Sequence, residues 1–173
     1  MSRVQVTVWL RGVSALKKKE VNDILKEGFY LMGRRWRQLY LPLHFGDRAT
    51  QRYRYTLRSG ARFAHNPKRY HRTYSGRKVK FLGHNRPLEF SGEGKRQAMT
   101  QEKITATRRS VKIKLPPKFN WRHPKSEVRM ADEIRRVRPD EAAALRKFLA
   151  AHIRETLRKS GAKKSTVVVR AEP

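Results

Sequence analysis

The chain has 173 residues, with 43 Lys or Arg against 14 Asp or Glu and a formal net charge of +29. That length holds a domain of ordinary size and little more, while so large a positive excess works against a compact monomer by self-repulsion and points to a polyanion or to acidic partner surfaces. The lack of cysteine excludes a disulfide framework, a thiolate zinc site and a cysteine nucleophile, and no stretch approaches the roughly 18 to 20 apolar residues of a membrane span, so no membrane partner is expected.

The opening MSRVQVTVWLRG carries no long apolar segment of the export type. Within it Val4, Val6 and Val8 alternate with Arg3, Gln5 and Thr7, the period of a half-buried strand over residues 3–10. From Ser14 to Tyr40, the residues Val21, Ile24, Leu25, Gly28, Phe29, Met32, Trp36, Leu39 and Tyr40 recur at spacings of three and four. This pattern predicts a long amphipathic helix, capped by Ser14 and stopped before Pro42. Its Phe29, Met32 and Trp36 stripe reads as core.

Residues 44–88 differ in kind: they hold twelve Lys or Arg and one acid, Asp47. The cations are Arg48, Arg52, Arg54, Arg58, Arg62, Lys68, Arg69, Arg72, Arg77, Lys78, Lys80 and Arg86, and Tyr53, Tyr55, Phe63, Tyr70, Tyr74 and Phe81 are interleaved with them. Ion pairs to phosphate and stacking on bases would suit nucleic acid. An extended arm that packs its aromatic face on a neighbouring subunit, with the basic face in water, is the other reading, and the two are compatible. As a strand, Arg-Tyr-Arg-Tyr at 52–55 would put both arginines on one face and both tyrosines on the other.

Further on, Ile104 to Arg108 and Ser110 to Leu115 alternate and lie close enough to form an antiparallel hairpin, closed by Pro116 and Pro117. Residues 118–138 read as a loop. Five of the acids, Glu127, Asp132, Glu133, Asp140 and Glu141, gather there and just beyond, which suggests that an acidic segment of one copy complements the basic segment of the next. The last helix is predicted to start at Pro139, with Asp140 and Glu141 on the positive end of its dipole. Leu145, Phe148, Leu149, His152, Ile153, Thr156 and Leu157 form its apolar stripe, and Gly161 ends it. His152 reads as a packed histidine. STVVVR at 165–170 can add an edge strand.

These elements describe an α+β fold: a small antiparallel sheet packed against two amphipathic helices, with an extended basic arm or loop at about 44–88 of a single domain spanning 1–160, and a C-terminal extension over 161–173.

No stretch carries a catalytic pattern. SGEGKR at 91–96 fails as a phosphate-cradling loop, because Glu89 stands where the first glycine is needed and Arg96 where Ser or Thr follows the lysine. It fails as a dinucleotide fingerprint because Gln97 replaces the third glycine. The six histidines have no metal-ligand spacing. Adjacent carboxylates at 132–133 and 140–141 diverge on regular structure. No enzyme activity, catalytic residue, cofactor or metal is expected.

In their order, the strand and long helix, then HFGDRATQRYRYTLRS, KRYHRTYSGRK, GHNRPLEFSGEGKRQAM, ITATRRSVKIKLP and MADEIRRVRPDEAAALRKFLAAHIRETL resemble the small head-to-tail joining and minor tail proteins of tailed bacteriophages, of the neck, tail-completion or tail-terminator type. The resemblance runs over about 4–157. It rests on His44, Phe45, Tyr53 and Tyr55, on the turn Pro87, Leu88, Phe90, Ser91 and Gly92, on the hairpin from Ile104 to Pro116, and on Asp132, Glu133, Ile134, Val137, Glu141 and Leu145. Gly94 and Lys95 depart from the pattern, where an apolar residue is usual.

The resemblance implies a structural virion protein without catalysis, assembled as a ring, sixfold, around the channel through which the genome leaves. Its partners would be further copies, the head connector and tail proteins, with genome DNA in the lumen as an additional contact. Its place would be the host cytoplasm during assembly and then the virion. In that setting the 87–92 turn shapes a loop, and Lys95 and Arg96 are cations at a subunit or channel surface. The alternative is a basic RNA- or DNA-binding protein of ribosomal or nucleoid type, which the charge and the aromatic-basic interleaving fit equally well.

Overall fold

A computed structural model describes residues 6–14, 16–56, 58, 60, 63–89, 91–100, 103–120, 128–162 and 165–171. The fold is α+β. Among the described residues there are seven α-helices and two antiparallel sheets of two strands each. The chain divides into two compact units, one of residues 1–40, 102–114 and 137–173 and one of residues 41–101 and 115–136.

The first unit is built on the two long amphipathic segments. Helix α1 spans Lys18–Leu39 and helix α7 spans Pro139–Lys159, and the two pack together. Ile24 and Phe29 of α1 meet Leu149, Ile153 and Leu157 of α7 in one apolar cluster. Strand β1, Val6–Arg11, pairs antiparallel with β4, Thr166–Ala171, so the C-terminal extension does supply a strand. Val8, Leu10, Val167 and Val169 of this sheet turn toward the same cluster.

Strands β2, Ile104–Ala106, and β3, Val111–Ile113, form the predicted hairpin and pack on α1. Gly33 permits the close approach: a Cβ there would lie 2.7 Å from Val111 Cγ2 and 3.2 Å from Ile104 Cγ2. Helix α1 begins three residues later than the Ser14 cap predicts, with Lys17 as its N-cap. The Lys17 N–H is met by Glu20, whose Oε2 accepts it at 2.8 Å; a first-turn acid also suits the helix dipole.

The second unit contains the segment expected to be an extended arm, and here the structure differs. Its described residues coil into short elements: a 3₁₀ turn over Leu41–Phe45, then α2 (Ala49–Tyr53), α3 (Pro67–Tyr70) and α4 (Tyr74–Leu82). Helix α5 (Glu93–Thr100), a second 3₁₀ turn over Pro117–Asn120 and α6 (Met130–Ile134) complete the unit. The stretch read as a loop after residue 117 thus holds a turn and a helix.

The reason lies in the wider apolar spacing. Leu41, Phe45, Ala49 and Tyr53 recur every four residues and are all buried, a helical period that outweighs four residues of Arg-Tyr alternation. Arg54 then ends α2 in the left-handed region, at φ 51°. The rings of Tyr53 and Tyr55 still share the buried side, through this turn rather than through a strand. Phe45 and Phe119 pack with ring centroids 5.9 Å apart, and Ile134 of α6 is fully buried.

Candidate nucleic-acid interface

The cations of residues 48–80 divide by where the local fold sends them. Arg58 goes inward. Its Nη1 and Nη2 donate to Oε1 and Oε2 of the buried Glu133 at 3.0 and 2.7 Å, and the Thr56 N–H donates to the same Oε1 at 3.1 Å. Two parallel charge-assisted bonds of this kind fix geometry as well as charge. Nearby, Arg136 donates to the carbonyl oxygens of Tyr53, at 3.1 Å, and of Arg54. One residue from the expected basic set and one from the expected acidic set therefore pair within one unit of the same chain.

His44 and Tyr55 form a second buried contact. The His44 ring stacks on Tyr53 at 3.8 Å between centroids, and its Nδ1 meets the Tyr55 hydroxyl. Burial first, and then the Arg52 guanidinium, hold the His44 imidazole down at about 3. Burial and then the Glu133 carboxylate push the Tyr55 phenol up. Both rings are thus neutral at pH 7, and a single proton bridges Nδ1 and the phenol oxygen, with the direction set by the imidazole tautomer. The two rings are packed into the core of this unit.

The turn at 87–92 has a structural role as well. Pro87 and Leu88 are buried, Leu88 sits at φ 58° and Gly92 at φ 77°, and the Arg96 N–H donates to the Gly92 carbonyl at 2.9 Å as α5 begins. Arg86 Nε donates to Asp47 Oδ1 at 2.9 Å, tying this turn to the start of the basic segment. Glu89 lies 3.8 Å from Arg86 and 3.7 Å from Lys95. Lys78, counted among the contact cations, is buried and donates to the Arg86 carbonyl. Burial brings its ammonium down to about 8; Glu89 opposes that shift and Arg58 adds to it. Ser75, Lys78 and Leu82 share one face of α4 at spacings of three and four, a signal in the sequence that this lysine turns inward.

Among the cations of residues 48–80, the largest exposed group lies on the α3–α4 surface. Asn66 Oδ1 accepts the Arg69 N–H at 3.2 Å to cap α3, and Thr73 Oγ1 accepts the Gly76 N–H at 3.1 Å to cap α4. A Cβ on Gly76 would fall 2.0 Å from the Tyr70 carbonyl oxygen, so glycine lets α4 start hard against the end of α3. Along α4, Tyr74 and Phe81 are 58% and 72% exposed, two helical turns apart, with Arg77 and Lys80 exposed on the same side. Lys68, Arg69 and Arg72 are exposed just before them. Exposed rings among exposed cations can stack bases and pair with phosphates, or pack on a neighbouring acidic protein surface.

No protein-family model, curated protein or solved structure matches this chain.

The other expected residues are scattered. Arg48 and Arg54 are exposed, and Arg52 holds its guanidinium 5.6 Å over the Tyr53 ring. Asp132 is exposed on α6, and Ser91 is exposed in the turn. Asp140 pairs with Arg138 at 2.9 Å, while Glu141 is buried and accepts the Arg138 N–H at 3.3 Å at the start of α7. Arg62, Phe90 and Glu127 lie outside the described residues. Among the described residues no three His, Cys, Asp or Glu side chains gather as a metal-ligand set, and no helix is long and apolar enough to cross a membrane.

Proposed function

We propose that this chain is a structural protein of a tailed-bacteriophage virion, acting at the head-to-tail junction as a neck, tail-completion or tail-terminator component. Copies associate head to tail into a ring, sixfold, around the DNA channel and join the head connector to the tail; the chain performs no catalysis. It assembles in the host cytoplasm and resides in the virion.

One observation carries this reading. Among the residues behind the resemblance, Ser91 and Asp132 are exposed, and the hairpin strands, Val137, Glu141 and Leu145 belong to the other unit, but His44, Phe45, Tyr53, Tyr55, Pro87, Leu88, Glu133 and Ile134, from stretches far apart in sequence, are buried in one compact unit. They are tied by the His44–Tyr55, Arg58–Glu133 and Arg86–Asp47 contacts. The exposed cations of α3 and α4 then serve either the channel DNA or the next copy, the kind of contact that repeats around a ring.

Negative-stain imaging with native mass measurement, at low and high salt, tests the proposal. A closed ring of the purified protein, or one formed only with a connector or tail component, is the expected result. A protein that stays monomeric both alone and with those components overturns it.

A second reading, a ribosomal or nucleoid-type nucleic-acid binder, is favoured by the exposed Tyr74 and Phe81 beside Arg77 and Lys80. Tight RNA binding by a monomer, falling steeply with salt, would select it.

A further inference from the structure

We propose that the β2–β3 hairpin is a second contact site, which binds the phosphate backbone of duplex nucleic acid. This site is separate from the α3–α4 surface and stands whether or not the chain forms a virion ring.

The hairpin is two-faced. Ile104, Ala106, Val111 and Ile113 are half-buried, and Ile104, Val111 and Ile113 surround the space above Gly33 of α1. Lys103, Thr105, Lys112 and Lys114 are exposed on the opposite face. Residues 103–115 carry five cations, Lys103, Arg108, Arg109, Lys112 and Lys114, and no acid. Thr105 faces Lys112 across the ladder, and the Lys114 N–H donates to the Lys103 carbonyl at 2.9 Å, which sets these two lysines opposite each other. Like charges directly opposite destabilise a strand pair, and a pair only three residues long has little stability to spare. A polyanion laid along this face turns that repulsion into attraction.

The tip is equally organised. The Thr107 N–H donates to the Ser110 carbonyl at 2.8 Å, and Thr107 Oγ1 accepts from the N–H groups of Arg109 and Ser110 at 3.2 and 3.1 Å. Arg108 and Arg109 are therefore held at the apex of a fixed turn, both exposed. The long contact from Arg108 Nη1 to Asn22 Oδ1, 3.5 Å, leaves the guanidinium easily redirected.

Three features select duplex over other polyanions. A two-stranded ribbon fits the major groove, about 12 Å wide, and reaches phosphates on both sides of it. Alternate residues on a strand lie about 7 Å apart, so Lys112 and Lys114 engage separate phosphates. The outward face and tip carry no aromatic side chain on which an unpaired base could stack. The shallow groove between α1 and β2 plays no part, because Asp23 and Glu27 line it together with Lys26 and Tyr30.

The test measures binding of the full chain to a fluorescent mixed-sequence DNA duplex of about two helical turns by anisotropy over a salt series. Arg108→Ala/Arg109→Ala and, separately, Lys112→Gln/Lys114→Gln are compared with wild type, and circular dichroism checks each fold. Each double variant should bind more weakly at every salt concentration and lower the slope of log affinity against log salt by about 2, whereas Arg108→Lys/Arg109→Lys should keep it. An unchanged slope in both charge-removing variants overturns the site. So does competition by polyglutamate as strong as by duplex, which would reassign the hairpin to an acidic protein partner. A monomer that binds duplex through this hairpin upholds the site and counts against the ring.

Discussion

Glu133, on α6, receives both terminal nitrogens of Arg58, a residue 75 positions earlier in the chain. The pair is unevenly exposed, with the Arg58 side chain at 27% and the Glu133 side chain at 3%. Loss of the two members should therefore be unequal. Arg58→Ala strands a buried carboxylate with only the Thr56 N–H among these donors and should cost about 3 kcal/mol. Glu133→Gln keeps an acceptor for Thr56 and lets Arg58 turn to water, so about 1 to 2 kcal/mol is expected. Urea denaturation at pH 7 followed by circular dichroism measures both, and equal losses would show that the pair is not the anchor of this unit.

His44 makes a prediction about pH. Its folded-state pKa is held at about 3, well below the roughly 6.5 of an exposed imidazole, so the unfolded chain binds the proton that the folded chain refuses. The contribution is favourable above the unfolded value and is lost as pH falls from about 6.5 toward 3, at up to about 1.4 kcal/mol per pH unit. His44→Phe should therefore flatten the decline of stability between pH 6.5 and 4 relative to wild type, despite costing stability at pH 7 through the stranded Tyr55 hydroxyl. Proton NMR gives an independent check: the His44 ring should show no titration above pH 4, and a midpoint near 6 would contradict its burial.

How far the sequence discloses this molecule depends on the range of the interaction. Patterns repeated over many residues, such as the stripe from Ile24 to Trp36 or the run from Pro139 to Lys159, mark their helices to within a few positions, because packing against a core imposes the period directly. The β2–β3 hairpin is legible for the same reason. Residues 44–88 are not, because their shape depends on an arginine in the left-handed region at 54, a leucine there at 88 at the end of the segment, and a salt bridge to a residue far along the chain. The distribution of cations between core and surface is only partly legible: Lys78 declares itself by helical spacing, whereas nothing near Arg58 in sequence points to Glu133.

The exposed face of α4 should separate binding from stability. Tyr74 and Phe81 are 58% and 72% exposed, so Phe81→Ala should shift thermal unfolding by no more than about 0.5 kcal/mol, and Tyr74→Ala, whose phenol is partly buried, should cost more. If this face stacks bases, the pair of substitutions should weaken binding of a single-stranded oligonucleotide by about 1 to 3 kcal/mol per ring. Arg77→Ala/Lys80→Ala should instead lower the salt slope. If the face packs on the next copy, the same aromatic changes should disperse the ring in native mass spectra and leave oligonucleotide binding unaffected.

Gly33 offers a test of how the hairpin is held. Ala at this position would bring its methyl group to 2.7 Å from Val111 Cγ2 and 3.2 Å from Ile104 Cγ2, and neither β-branched side chain can swing away freely. The gain in helix propensity over glycine, about 1 kcal/mol, works in the opposite direction, so the sign of the net effect depends on whether β2 and β3 can retreat. Because overpacking costs about 1 to 3 kcal/mol and the hairpin lies directly on α1, Gly33→Ala should destabilise the chain and loosen the hairpin, with faster amide exchange at Thr105 and Lys112. Shortening the obstructing side chain should reverse this: Gly33→Ala combined with Val111→Ala should be more stable than the sum of the single changes implies. Additive losses in that cycle would mean that the hairpin is seated by something other than its fit to Gly33.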